Sequence, residues 1–423
     1  MNTNPVAERI AAHKQSGRGG IVSVCSAHPA VVDAAVDIAR DYGDVLLIES
    51  TSNQVDQFGG YTGKKPAEFI AETRARVLAQ GFPEAKLAFG GDHLGPNVWQ
   101  GLPAAEAMNY ADELIRHYAA AGYDKIHLDC SMSCADDPVP LDDETVARRA
   151  ARLCKIAEAY KTRDIVYIIG TEVPVPGGAQ EDLAEHGVTP TSPEAAKITW
   201  QVHERIFAEE GLAEVWPRVI GLVVQPGVEF DHHQVIDYQP EHAQALSQVA
   251  EGFKHAVFEA HSTDYQNAPA FRQLVRDHFA ILKVGPALTF AYREALFALE
   301  AALADYHGTP YPGAFRAAVE KLMLEQPKYW QKYYEGDEQE QRRLRAFSLS
   351  DRIRYYWPQL AEPVATLLAD FDAAQIPFGI IHQYLPHALD EAHNRGEAPS
   401  AENLIRHHIR AALKPYYDAC MAS

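Results

Sequence analysis

Residues 86–93, KLAFGGDH, form a short apolar run that ends on an aspartate and a histidine, and residues 94–99, LGPNVW, turn the chain away at once. Alone, such a stretch reads equally as a capping Asp beside a packed His and as a metal ligand beside an acid/base group. Recurrence separates the two. Seven further runs share the pattern: GIVSVCS (20–26), DVLLIES (44–50), DKIHLDCS (124–131), IVYIIGTE (165–172), VIGLVVQPG (219–227), AVFEAHS (256–262) and FAILKVG (279–285). Between them lie amphipathic stretches such as PAVVDAAVDIARDYG and TSPEAAKITWQVHERIFAEEG. In the second, Ser192 is placed as N-cap, Pro193 as first helical residue and Gly211 near the end. Continuous apolar strands belong to a parallel sheet covered on both faces. Eight strand–helix repeats in order predict a closed (β/α)8 TIM barrel over residues 1–306. A doubly wound sheet would show fewer strands and a phosphate-binding glycine loop after the first, and SAHPAVVDAA contains none.

Beyond residue 306 the alternation stops. HGTPYPGAF is a Pro/Gly-rich break, and FRAAVEKLMLE, PVATLLADF and AENLIRHHIRAALKPYYDAC are helical in pattern. Residues 307–423 are therefore expected to form a C-terminal helical region packed on the barrel or serving assembly, with a homo-oligomer expected. The 423 residues suit one barrel of about 250 residues plus this addition. A net charge of −20 without a Lys/Arg-rich run argues against nucleic acid or an anionic membrane as partner. The five cysteines are odd in number and far apart, unlike a disulfide framework. No stretch resembles a signal peptide or approaches the roughly 18 apolar residues of a membrane span, so a cytoplasmic location is expected.

Catalytic groups of such barrels lie at the carboxyl ends of the strands, and here those ends are polar. Strand two offers Glu49, Ser52, Asn53 and Gln54; strand three Asp92 and His93; strand four Asp129 and Ser131; strand five Glu172. Strand six offers Gln225 and Glu229, strand seven Glu259, His261 and Ser262, and strand eight Lys283. Converging charges are costly to desolvate unless a cation or substrate compensates them. His93 and His261, with Glu172 or Glu229, would make a mixed nitrogen/oxygen site for Zn²⁺, Mn²⁺ or another divalent ion. Asp92 would transfer protons, and Asp129 would share that work or hold a substrate hydroxyl.

GGDHLGP, HLDCS, TEVPVPGGAQED and EAHSTDY resemble, in order, strand-end motifs of the class II, metal-dependent ketose-bisphosphate aldolases. IESTSNQVDQFGGYTG, GGDHLGPNVWQ and FSLSDRIRYYW are similar to the GatZ/KbaZ-like, non-catalytic subunit family of D-tagatose-bisphosphate aldolase, over essentially the whole chain. The resemblance implies that Asp92 is the acid/base, that His93 and His261 ligate the metal, and that Glu172 opens the E-x-x-x-x-G-G segment. Two departures stand out. The third histidine ligand expected after strand six is replaced by QPGVEFDHH, where Glu229 substitutes for it, or His232 or His233 does so through a shifted loop. The segment that holds a C1 phosphate after strand eight becomes KVGPALT.

Members of this family are accessory subunits of a class II aldolase catalytic subunit, and some are 4-epimerases that interconvert D-tagatose 6-phosphate and D-fructose 6-phosphate. The C4 hydrogen of a 2-ketose is not acidified by the ketone, so inversion there implies retro-aldol cleavage between C3 and C4. A Lewis-acidic ion would stabilise the enediolate. Oxidation at C4 would need a nicotinamide, for which no fingerprint is present. The epimerase is the favoured expectation, with a small phosphorylated sugar as substrate, the stabilising subunit as alternative, and Lys283, Arg293, Arg352 and Arg354 as phosphate partners. A self-sufficient bisphosphate aldolase is disfavoured by the altered segment after strand eight.

Overall fold

In the computed structural model, which describes residues 4–170 and 188–421, each apolar run becomes a strand. In chain order these are β1 (Ile21–Cys25), β2 (Leu46–Thr51), β3 (Leu87–Leu94), β4 (Lys125–Leu128), β5 (Val166–Gly170) and β6 (Val219–Val223). An antiparallel hairpin of β7 (Glu229–Phe230) and β8 (Val235–Ile236) comes next, followed by β9 (Val257–Ala260) and β10 (Phe279–Val284). All barrel pairs are parallel, and β10 pairs with β1 in the register Ile21↔Ile281, which closes the eight-stranded (β/α)8 barrel.

Helix α1 (Pro5–Ser16) precedes the barrel, and α2 (Pro29–Tyr42), α3 (Pro66–Ala79), α4 (Ala104–Ala121) and α5 (Asp143–Tyr160) follow the first four strands. Then come α6 (Pro193–Glu209), α7 (Pro240–Gly252), α8 (Ala268–Arg276) and α9 (Pro286–His307). Ser192 caps α6 as its sequence indicates, its hydroxyl accepting from Ala195 N at 3.1 Å. The C-terminal region adds α10 (Ala314–Glu325), α11 (Glu338–Phe347), α12 (Ala361–Ala374), α13 (Phe378–Tyr384), α14 (Pro386–Asn394) and α15 (Ala401–Met421).

The last helix is part of the barrel wall. α15 packs against α2, α8, α9 and β1. Gly20 N donates to Cys420 O at 3.0 Å, and Arg410 pairs with Asp37 at 2.9 Å and Asp41 at 2.6 Å on α2. One apolar cluster accordingly runs from Val22 to Cys420. No helix among the described residues is long and apolar enough to cross a membrane.

Alternate residues of each strand point inward, and the interior is layered. The floor is apolar: Val6 and Ile10 of α1 pack with Ile21, Leu47, Ala88, Val166, Val257 and Ile281. Above it lies charge. Lys125 Nζ, fully buried, sits 2.7 Å from Glu49 and 2.8 Å from Glu259, and Lys283 also pairs with Glu49. Four strands thus contribute two cations and two anions, and mutual pairing offsets a desolvation that any one charge alone could not bear. Gly90 makes room for this layer, since a Cβ there would lie 2.5 Å from Glu49 Oε1.

Candidate active site

Above the charged layer, Asp92 and His93 of β3, His127 of β4 and His261 beyond β9 bring ligand atoms within 4.8 Å of one another. Neighbouring residues of a strand face opposite sides, so Asp92 and His93 would normally diverge. His93 instead adopts φ 48°, a left-handed conformation uncommon outside glycine, and its imidazole turns to the same cleft as Asp92. Ser262, directly after His261, has φ 52°. Such backbone is held where the surroundings over-determine it, and it clusters at functional sites. Gly95 completes the turn, because a Cβ there would lie 1.7 Å from Asp129 O.

Each imidazole has one nitrogen committed to an acceptor behind it. His93 Nδ1 lies 2.9 Å from Asp129 Oδ2, His127 Nε2 lies 2.7 Å from Gly170 O, and His261 Nε2 lies 2.9 Å from Glu259 Oε1. These partners fix the tautomers and leave His93 Nε2, His127 Nδ1 and His261 Nδ1 as the lone-pair nitrogens. His127 Nδ1 faces Asp92 Oδ1 at 3.1 Å and the His93 N–H at 3.3 Å. Two acceptors opposed at that distance call for a proton or cation between them. The donor set fits a divalent ion such as Zn²⁺ or Mn²⁺, with three imidazoles backed by outer partners and one carboxylate nearby.

The electrostatics agree. Burial would raise Asp92, but the positive charge of Lys283 beside it helps hold its carboxyl well below the usual range. Lys283 Nζ is 2.8 Å from Asp92 Oδ1. Burial likewise works to raise Asp129, yet the hydrogen bond from His93 helps bring it to about 2. Burial holds His261 at about 4, keeping it neutral despite its bond to Glu259. Cys25 Sγ, 3.4 Å from Asp92 Oδ2, is pushed up by burial and stays a thiol.

These groups open into a cleft of about 490 Å³ whose walls include Asp92, His93, His261, Lys283, Asn53 and Gln54, and also Arg352 and Arg354 from the C-terminal region. The β7–β8 hairpin docks that region onto the barrel mouth. His232 meets Ser348 Oγ at 2.9 Å and Tyr333 O at 3.0 Å, and Leu349 N donates to His232 O at 3.1 Å. Arg352 lies over the Tyr333 ring at 3.2 Å and donates to Tyr329 O at 2.9 Å. Arg354 donates to Ser350 O and Asp351 O. Among the described residues neither guanidinium pairs with a carboxylate within 4.0 Å. A neighbouring cavity of about 560 Å³, between α2 and the C-terminal helices, holds His28 and none of the histidine cluster. There burial takes His28 to about 4.

Several sequence-selected residues lie elsewhere. Arg293 is 1% exposed on α9, its Nε donating to Asp351 Oδ1 at 3.1 Å. It anchors the segment that carries Arg352 and is not among the residues that line the cleft. Glu49 sits one layer deeper, in the Lys125 pair. Glu229 is outside the ligand group; it accepts from Phe230 N at 2.9 Å and Ser262 Oγ at 3.1 Å. Gln225 braces its own loop, accepting from Gly227 N at 2.8 Å and Val228 N at 3.0 Å. Ser52 donates to His93 O at 3.1 Å and Ser131 to Asp129 at 2.8 Å, so both support the site from behind. Asp129 itself stands behind His93. His232 serves docking and His233 is exposed near Glu340, so neither joins the cluster. Glu172 lies outside the described residues.

His127 escaped the sequence reading. Its signal was present in KIHLD (125–129), where Lys125, His127 and Asp129 share one face of the strand. An interior His in an apolar run reads as core until its neighbours across the barrel are known.

A solved structure, described as a probable tagatose 6 phosphate kinase from Sinorhizobium meliloti 1021, is 45% identical, with TM-score 0.86 over 95% of this chain and all (100%) of that one. The fructuronate-tagaturonate epimerase UxaE from Cohnella laeviribosi shares the fold at TM-score 0.52 and 14% identity, over 94% of this chain and 81% of that one. The family model for the D-tagatose-1,6-bisphosphate aldolase subunit GatZ/KbaZ-like matches residues 6–421. With that match along nearly its whole length, this chain belongs to the GatZ/KbaZ-like family.

Proposed function

We propose that the chain is a metal-dependent 4-epimerase interconverting D-tagatose 6-phosphate and D-fructose 6-phosphate. The observation that carries this reading is the convergence of His93, His127 and His261 beside Asp92, at a cleft whose lining also includes Arg352 and Arg354. A 45%-identical relative described as a probable tagatose 6 phosphate kinase supports the same substrate class.

The three imidazoles would hold a divalent ion. When bound, it would supply Lewis acidity that stabilises negative charge on the C1–C3 fragment. Asp92, kept ionised beside Lys283, takes the proton from the C4 hydroxyl as the C3–C4 bond breaks and returns it after the aldehyde has turned. The bond re-forms on the other aldehyde face, so atoms and charge balance over the cycle. Asp129 and Glu259 hold His93 and His261 in orientation. Arg352 and Arg354 grip the phosphate, which keeps the cleaved fragment in the cleft.

The family description as an aldolase subunit favours a second reading, a stabilising partner of a class II aldolase catalytic chain. A purely stabilising subunit has no need of backed imidazoles facing a cleft. The test is to incubate the purified chain alone with D-tagatose 6-phosphate and Mn²⁺ or Zn²⁺, and then with a chelator. Fructose 6-phosphate should form and the chelator should stop it. No turnover with any divalent ion leaves the subunit reading.

A further inference from the structure

Many barrels of this type bind phosphate at the loops after strands seven and eight, on the amino end of a helix. Here the helix after the eighth strand is α9, 22 residues long, and Gly285, Pro286 and Thr289 at its start line the cleft. That position is already filled from within. Asp264, 3% exposed in the loop after β9, accepts from Gly285 N at 3.0 Å and from Ala287 N at 2.8 Å. Pro286 has no N–H to offer, and Leu288 N is bonded to Gly285 O at 3.0 Å. The donors at the start of α9 are therefore spent, and a carboxylate stands where an incoming phosphate would have to sit.

We infer that Asp264 is a built-in anion that closes the phosphate position after strand eight and makes the cleft selective for ketose monophosphates over bisphosphates. The inference rests on the proposed function for its substrate class and adds the residue that sets it. One phosphate has partners, on Arg352 and Arg354. A second would meet a carboxylate in a partly desolvated cleft where the Gly285 and Ala287 N–H groups are already taken, and unpaired like charges are how binding sites reject competitors. The same carboxylate caps α9, so one side chain orders the helix and excludes the second phosphate.

Binding of non-reacting probes to the full chain tests this. D-glucitol 6-phosphate should bind about 100-fold more tightly than D-glucitol 1,6-bisphosphate, the scale of like-charge rejection. Titration with inorganic phosphate should show one site, lost in Arg354→Met. Asp264→Ala should bind a second phosphate and lose the preference for the monophosphate. If that variant fails to fold by circular dichroism, Asp264→Asn keeps an acceptor for the N–H groups and removes the charge. It should narrow the preference to about tenfold, one charge contact's worth. Wild-type protein that binds the bisphosphate as well as the monophosphate, or binds no phosphate, would overturn the inference. So would Asp264 variants with an unchanged ratio. Because the probes do not react, a chain without epimerase activity fails the proposed function and still reports on Asp264.

Discussion

His127 Nε2 lies 2.7 Å from the carbonyl oxygen of Gly170, so the ring carries its proton away from the cleft and turns a bare nitrogen toward Asp92. Both residues lie within apolar strand segments, His127 inside KIHLD and Gly170 at the end of VYIIG. Loss of an outer partner typically costs 10- to 100-fold in metal affinity. His127→Phe, which removes a ligand outright, is therefore expected to weaken Mn²⁺ or Zn²⁺ binding by more than about 100-fold. Asp129→Ala should cost about 10- to 100-fold. Titration against a competing chelator measures both, and an undiminished affinity in His127→Phe would exclude it from the metal centre.

Lys125 tests the charged layer. It is fully buried between Glu49 and Glu259, and removing one member of a buried set strands the others. Lys125→Met should lower unfolding stability by about 3–5 kcal/mol in urea denaturation. A loss below about 1 kcal/mol would mean that water or another cation already serves these carboxylates.

Arg354 separates phosphate recognition from chemistry. A hydrogen bond to a charged group contributes about 1.5–3 kcal/mol. Arg354→Met should thus raise KM for D-tagatose 6-phosphate by about 10- to 100-fold while leaving the weak KM for unphosphorylated D-tagatose unchanged. Equal increases for both sugars would assign Arg354 to holding its loop, through Ser350 and Asp351.

His203 on α6, far from the cleft, predicts an acid limb of stability. Burial lowers it from 6.5 to about 4, with only its Nδ1 bonded, to Thr199 O. The unfolded chain therefore takes up the proton first, so the stability is fully present above pH 6.5 and is lost as pH falls toward 4. The loss attributable to this side chain is about 3 kcal/mol. Denaturation between these limits should show a shallower pH dependence in His203→Leu; an identical slope would show that the folded protein protonates His203 at no cost.

The barrel was legible because burial on both faces of a parallel sheet writes itself into local composition. Eight apolar runs, with Ser192 capping α6, needed no knowledge of what they pack against. Asp92, His93 and His261 were legible too, since polar groups at strand ends interrupt the apolar pattern. His127 and Lys125 were not, because alternation places them within a strand and leaves open whether the inward face meets hydrocarbon or charge. Arg293 and Arg354 look alike in sequence; one anchors Asp351 and the other reaches the cleft, a difference set by the docking of the C-terminal segment on the β7–β8 hairpin.

What the sequence determined by itself was the architecture and the rim that bears the polar groups, because strand and helix periodicities are properties of neighbours along the chain. Only the tertiary structure decided which side chains share the centre. Closure joins β3, β4 and β9, the left-handed turn at His93 aims two adjacent residues at one cleft, and Asp264 reaches from one loop to cap the helix of the next. Those relations link residues remote in sequence, and no local pattern encodes the distance between them.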